Sequence, residues 1–336
     1  MLSAMEADNL LAARANDRDA FARLTDPYRR ELLVHCYRML GSLQDAEDLV
    51  QETLLRAWRR LGSFQRHLSF RAWLYKIATN ACLDTLDKRP RRVLPPGAYP
   101  AANPRAMFDP PVSESIWLEP LPDERWAAPT PSLEARYSAT ESVTLAFMVA
   151  LQVLPPRQRA VLIMRDVLDF SAREVAESLA LTVPAVNSAL HRARVTLAAH
   201  YPRGQPPAAA SAYPDITLRG LLDQYVSAWE AADVGQLVAL LKRDAILSMP
   251  PSPSWYRGRE AIGAFMAGRP FSGQAHGRWR LQPRQANAQP AFELQERASG
   301  GHYQMVGLQV LAVAGDRIAS ITLFLRPAFF EQFGFE

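Results

Sequence analysis

The stretch DAEDLVQETLLRAW at residues 45–58 sets Asp45, Asp48 and Glu52 three and four positions apart. On an α-helix that spacing gathers the three carboxylates on one stripe and lets Leu49, Leu54 and Trp58 turn inward. Taken alone, an acidic stripe reads as a solvated face. Its surroundings give it a second reading. Immediately downstream stand Arg56, Arg59, Arg60, Arg66, Arg71, Lys76, Lys88, Arg89, Arg91 and Arg92, with only Asp84 and Asp87 between them. Trp58, Phe64, Phe70, Trp73 and Tyr75 are interleaved with these cations. Cations along a surface neutralise phosphates, and aromatic faces stack on unpaired bases at about 1–3 kcal/mol per base. The combination suits single-stranded nucleic acid. An aromatic at helical spacing is equally a core residue, and Trp73 stays open between the two readings.

Outward from this stretch, from about Asp17 to Arg89 apolar positions recur at intervals of three and four with scarcely a breaker apart from Pro27, Gly41 and Gly62, so an all-helical domain is expected over 17–90. Residues 91–132 lose all periodicity under runs such as VLPPGAYPAANP and EPLPDERWAAPTP, the composition of a linker. A fully solvated tether has no use for Trp117, Leu118 and Trp126, so part of this linker is expected to dock. A second helical block spans 133–200. YPRGQPPAAASAYP at 201–214 reads as a second linker, and a third domain fills 215–336.

The second block holds a helix-turn-helix pattern: SAREVAESL at 171–179, a three-residue turn, and a further helix. Ser171 with Glu174 three residues on is a capping-box arrangement, and Thr182 with Pro184 starts the second helix. Val186, Leu190 and Leu197 form its inward stripe. Asn187, His191 and Arg194, with Ser188 and Arg192 beside them, are left outside, where they suit base edges or phosphates in a major groove. No carboxylate or nucleophile accompanies His191, which argues against catalysis there.

The third domain opens with helical stretches, LRGLLDQYVSAWEAAD and VGQLVALLKRD, and continues with strand-like ones: AILSMP, GRWRLQPRQ, AFELQER and HYQMVGLQVLAVAGDRIASITLFL. Ala314-Gly315-Asp316-Arg317 marks a hairpin. Helices followed by consecutive strands predict an α+β layer on a curved antiparallel sheet. Tyr225, Trp229, Met249, Trp255 and Trp279 are candidates to line a cavity in it, or simply its core. Asp223 and Tyr225 lie on different sides of one helix, and His276 and His302 have no evident partners, so no catalytic set is assembled.

Composition bounds the rest. With 49% hydrophobic and 21% charged residues the 336-residue chain is globular, with two or three compact units expected. The net charge of +4 is too small to identify a nucleic-acid partner, so charge distribution decides. Cys36 and Cys82 have no ligand spacing and are expected as buried thiols, with no metal and no cofactor. No apolar run reaches the roughly 18 residues that span a bilayer, and a cytoplasmic location without a membrane partner is expected.

DAEDLVQETLLRAW followed by FRAWLYKIATNACLDTLDKRPRR at 70–92 resembles domain two of the extracytoplasmic-function sigma factors of the sigma-70 family. LPPRQRAVLIMRDVLDFSAREVAESL at 154–179, followed by HRAR, is similar to domain four, although family members often carry a basic residue and an arginine where this chain has Asn187 and Ala189. Residues 215–336 resemble the SnoaL-like or NTF2-like cone. The resemblance implies a multidomain chain of two all-α domains and an α+β cone. It implies a transcription initiation factor rather than an enzyme, with core RNA polymerase and promoter DNA as partners. Asp45, Asp48, Gln51 and Glu52 would meet the clamp of the largest polymerase subunit. Phe70, Trp73, Lys76 and Asn80 would lie near the melted minus-ten strand; Thr182, Asn187, Ser188, His191, Arg192 and Arg194 would meet the minus-thirty-five element. The cone would modulate activity in cis by covering the motif IWLEPLPDERW, with Trp117, Leu118 and Trp126 as its contacts. A small-molecule ligand of the cone is left open.

Overall fold

The computed structural model describes residues 4–65, 69–112, 116–126, 142–200 and 215–326. The 201–214 linker and the end of the 91–132 linker lie outside the described residues. The chain divides into two units. The first takes the described residues up to 92, together with 125–126 and 146–200. The second takes those within 93–124, with 142–145 and 215–326.

The first unit is helical. α1 (Ala4–Arg14) precedes the first predicted helix. α2 (Arg18–Leu40) starts at Asp17, whose carboxylate accepts from the Asp19 and Ala20 amides, and stops at Gly41, whose φ of 71° gives the left-handed end that glycine allows. It runs on through Pro27, because a long buried stripe outweighs one missing ladder bond. α3 (Leu43–Arg60) is capped by Ser42 and α4 (Phe70–Leu86) by Ser69. The later block supplies α5 (Leu145–Val153), α6 (Pro156–Leu162) with a π turn at Ile163–Val167, α7 (Ala172–Leu179) and α8 (Val183–His200). The Ser171–Glu174 capping box forms.

Both helical blocks share one core. Arg159 on α6 is 2% exposed, and its guanidinium donates to the Met39 carbonyl at the end of α2, to Gln152 Oε1 at 2.6 Å and to the Leu154 carbonyl at 3.1 Å. Burial lowers its pKa to about 10, which still leaves it charged at neutral pH. Cys36 and Cys82 are free and buried, and burial together with contact between the two sulfurs pushes the Cys82 thiol up.

The second unit is the α+β cone. α9 (Asp215–Glu230) and α10 (Val234–Leu240) come first, then β1 (Leu241–Ser248), β2 (Trp255–Arg257), α11 (Arg259–Gly268), β3 (Trp279–Ala286), β4 (Gln289–Arg297), β5 (Tyr303–Ala314) and β6 (Arg317–Leu325). The sheet order is β2-β1-β6-β5-β4-β3. Its pairs are antiparallel except β1 with β6, which run parallel, a feature the strand pattern alone did not contain. The predicted hairpin closes through Gly315 and Asp316, with Gly315 at φ 68°.

Two expectations need correction. VGQLVALLKRD does not stay helical: α10 ends at Leu240, and Leu241 joins β1 beside Ile318 of β6. Its carbonyl is held by Arg259 Nε at 2.8 Å, so sheet pairing overrides a helical local pattern. Residues 251–276, to which no element was assigned, form β2 and α11.

Candidate polymerase and DNA interface

The acidic stripe of α3 is divided. Asp48 and Gln51 are exposed, and Gln44 Nε2 donates to Asp48 Oδ1 at 3.3 Å. Glu52 is half-buried and engaged by Arg56 Nε at 2.7 Å, a helical i,i+4 pair. Asp45 points inward: its side chain is 14% exposed, held by Arg89 and by Arg92 Nη2 at 2.7 Å. Burial works to raise the Asp45 pKa, but the hydrogen bonds and charges of the two arginines outweigh it and hold the carboxyl below its ordinary value. The exposed carboxylate of the stripe is therefore Asp48, with the Gln51 amide beside it and Glu52 at its edge.

The aromatics expected beside DNA are mostly structural. Phe70 is 3% exposed, with Phe64, Trp73 and Tyr28 rings at centroid distances of 5.3, 5.6 and 5.9 Å. Phe70 is a core anchor at the start of α4 rather than a base-stacking platform. Trp73 is half-buried at the edge of this cluster, and Lys76 is exposed. Asn80 is half-buried, donating to the Lys76 carbonyl at 2.9 Å and reaching the Ser178 carbonyl of α7 at 3.5 Å. Nothing in the residue pattern points to what lies beside this helix. Phe170 packs edge-on against Tyr75 at 5.3 Å, and the Arg71 guanidinium sits 4.9 Å from the Tyr75 centroid and 5.0 Å from that of Phe170.

α8 presents the expected outer face. Asn187, Ser188, His191, Arg192 and Arg194 are exposed, while Val186, Leu190 and Leu197 are buried. Thr182 caps the helix, accepting from the Ala185 amide at 3.3 Å. Arg194 differs from Arg192: Asp166 holds its guanidinium bidentately at 2.7 and 2.9 Å. Among the described residues, no ion pair is formed by Arg192.

In the second unit, the connector is bonded to the cone along its length. Trp117 and Leu118 are buried, and Trp117 packs on Tyr99. The Tyr99 carbonyl accepts from Trp255 Nε1 at 2.9 Å, and Leu121 exchanges backbone and side-chain hydrogen bonds with Asn287. Trp126, expected with Trp117 and Leu118, belongs instead to the helical unit. Of the cavity candidates, Trp229, Met249 and Trp279 line a cavity of about 380 Å³. Tyr225 does not: it is sealed in the core, donating to Gln309 Oε1 at 2.6 Å, and burial drives its phenol far above the ordinary range. Trp255 is spent on the connector. His276 and His302 are exposed, and among the described residues no cluster of acids, histidines and cysteines suits a metal ion.

A helix-turn-helix with a polar outer face, preceded by an acid-faced helix and a cation-lined one, defines a protein that reads DNA while docked on a larger machine. The chain belongs to the extracytoplasmic-function RNA polymerase sigma factors. Residues 24–92 match Sigma-70 region 2, residues 144–197 match Sigma-70 region 4, and residues 222–321 match the SnoaL-like domain. The chain is 44% identical over 318 residues to the ECF RNA polymerase sigma factor SigG of Mycobacterium tuberculosis (strain CDC 1551 / Oshkosh), covering 94% of this chain and 84% of that one. It is 28% identical over 186 residues to SigW of Bacillus subtilis (strain 168), covering 55% of this chain and 90% of that one. The crystal structure of the Mycobacterium tuberculosis extracytoplasmic function sigma factor SigJ shares the fold, with a TM-score of 0.59 at 21% identity over 91% of this chain and 96% of that one. As a sigma factor the chain joins core RNA polymerase and directs promoter recognition and transcription initiation. Among the described residues no helix is long and apolar enough to cross a membrane.

Proposed function

We propose that Asp48, Gln51 and Glu52 of α3 hold the clamp of the largest polymerase subunit, that Trp73, Lys76 and Asn80 of α4 hold the melted minus-ten strand, and that α8 reads the minus-thirty-five element through Thr182, Asn187, Ser188, His191 and Arg192. The observation that carries this assignment is the sorting of side chains by exposure. Asp48, Gln51, Lys76 and the outer residues of α8 are exposed, while Asp45 and Phe70 are committed inside. Exposed carboxylates suit a cationic clamp, and exposed Asn, His and Arg on a groove-sized helix suit base edges and phosphates.

The cone acts as a regulatory module in cis, without chemistry of its own. Its support is the connector, whose backbone and side chains are hydrogen-bonded to the cone at Tyr99, Asp109, Val112 and Leu121. The place of action is the cytoplasm, where polymerase and DNA are. In a run-off transcription assay with core polymerase, the wild-type chain should give promoter-dependent transcript and Lys76→Ala should reduce it about tenfold. Full activity of Lys76→Ala together with Asp48→Lys would remove the assignment.

A further inference from the structure

Promoter reading leaves unused a cavity of about 380 Å³ in the cone. That volume falls within the roughly 300–1,000 Å³ of small-molecule sites. Its wall is apolar, with Trp229, Met249, Met266, Trp279, Leu294 and Leu323 facing it. Two guanidinium groups, Arg269 and Arg278, also line it. They are not equivalent. Arg278 is neutralised by Glu296, with Nε at 2.7 Å and Nη2 at 2.5 Å from the same carboxylate oxygen. Arg269 Nη2 donates only to the backbone carbonyl of Ala106, at 2.8 Å, and no carboxylate pairs with it among the described residues. An apolar pocket with one uncompensated cation is complementary to an apolar body bearing one negative charge.

The wall is completed by the connector. Met107 and Phe108 line the cavity, with Met107 81% exposed and Phe108 lying over Phe265 at a centroid distance of 6.3 Å. Asp109 pins this segment down. Its amide donates to Ser254 Oγ at 3.2 Å, Ser254 Oγ donates to its carboxylate at 2.7 Å, and Ser252 Oγ donates to its carbonyl at 3.0 Å. Val112 follows with a backbone bond to the Pro251 carbonyl at 3.0 Å.

We propose that the cone is a receptor for a small apolar carboxylic acid, with Arg269 taking the carboxylate and Phe108 of the connector serving as its lid. The acid's body replaces nothing polar on the wall. Its charge meets Arg269, which, unlike Arg278 on the same wall, has no carboxylate partner among the described residues. Because residues 106–112 belong to the connector that joins α4 to α5 in sequence, seating or lifting Phe108 transmits occupancy to that connector. The inference goes beyond the transcription role, and its test does not depend on it.

Titration calorimetry on the full chain tests it, with 2-naphthoate as probe and the uncharged 2-naphthamide as its isostere. One molecule of 2-naphthoate should bind per chain, at least tenfold more tightly than the amide. Arg269→Gln should bring 2-naphthoate down to the amide's affinity and leave the amide unchanged, and Phe108→Ala should weaken both at least fivefold. Leu294→Trp, which fills the pocket, should abolish both. Arg269 is half-buried and outside the hydrophobic core cluster, so that arm stands even if Leu294→Trp fails to fold. Equal affinity for acid and amide, or 2-naphthoate binding indifferent to Arg269→Gln, overturns the proposal, as does absence of binding at millimolar probe.

Discussion

Arg92 Nη2 lies 2.7 Å from Asp45 Oδ2, with Arg89 closing on the other oxygen, so the first carboxylate of the acidic stripe is a latch inside the helical unit. Asp45 and Asp48 thus share a helix face in sequence and part company in function. Asp45→Asn strips Arg92, itself 8% exposed at its side chain, of a charged partner and should cost about 1.5–3 kcal/mol. Asp48→Lys touches nothing buried and should leave stability within about 0.5 kcal/mol. Chemical denaturation and a pull-down on core polymerase separate the two: Asp48→Lys should unfold normally and lose polymerase, whereas Asp45→Asn should unfold early. The reverse pattern would return the docking role to Asp45.

His35 supplies a second expectation, in pH. It is fully buried between α2 and α4, with Nε2 2.8 Å from Thr79 Oγ1 and its ring edge-on to Tyr75 at 5.0 Å. Burial first, then the charges of Arg38 and Arg71, lowers its pKa to about 3. The folded pKa lies below the unfolded value of about 6.5, so between these two the unfolded chain binds the extra proton. Stability is fully present above about pH 6.5 and falls as pH drops, approaching about 1.4 kcal/mol per unit well inside the window. Urea unfolding between pH 7 and pH 5 should show that loss, and His35→Gln should flatten it even though the variant is weaker at pH 7. An unchanged slope in His35→Gln would assign the dependence to other groups.

Much of this architecture was legible in the residues because it is written in local terms. The Ser171–Glu174 box, the inward Val186–Leu190–Leu197 stripe and the Gly315-Asp316 hairpin each depend on neighbours within a turn or two. What the sequence hid is non-local. Leu241 follows a helical run, yet pairs with Ile318 because β6, some seventy residues on, offers its edge. Asp45 reads like Asp48 until Arg89 and Arg92 fold back on it. Phe70 reads like a base-stacking ring until Phe64, Trp73 and Tyr28 surround it. Trp229, Met249 and Trp279 are cavity candidates by residue type alone, whereas Arg269 carries no such signal, because a cation without a carboxylate partner among the described residues is visible only in the fold.

On α8, Arg192 and Arg194 differ by one partner. Asp166 holds Arg194 bidentately, so that guanidinium is already compensated before DNA arrives, while Arg192 is free to engage. Arg192→Ala should cost about 1–3 kcal/mol in promoter affinity, confined to one base-pair position if it reads a base and uniform across sequences if it meets phosphate. Arg194→Ala should cost less in affinity and should unpair Asp166 instead, and adding Asp166→Ala to it should restore most of whatever is lost. Fluorescence anisotropy on a promoter duplex and its single-position variants measures all three. A larger loss from Arg194→Ala than from Arg192→Ala would show that Asp166 releases its arginine on binding.

The second helical block covers α4 at Tyr75 and reaches Asn80, one of the residues assigned to the melted strand. Phe170 packs edge-on against Tyr75, the Arg71 guanidinium lies about 5 Å from both rings, and the Ser178 carbonyl lies 3.5 Å from Asn80 Nδ2. Reading a single strand with Asn80 therefore requires α7 to move away from α4. An aromatic pair of this kind is worth about 0.5–1.5 kcal/mol beyond its buried area, so Phe170→Ala should shift the open population and raise affinity for mixed-sequence single-stranded DNA about two- to tenfold. The opposite manipulation is a reversible lock. Asn80→Cys with Ser178→Cys, oxidised, should hold α7 on α4 and abolish single-strand binding and transcription, and a reductant should restore the transcription of the reduced double variant. Circular dichroism confirms that helix content is retained in each. Single-strand affinity that is blind to both Phe170→Ala and the closed lock would mean that DNA approaches α4 from the Lys76 side without any rearrangement of the helical unit.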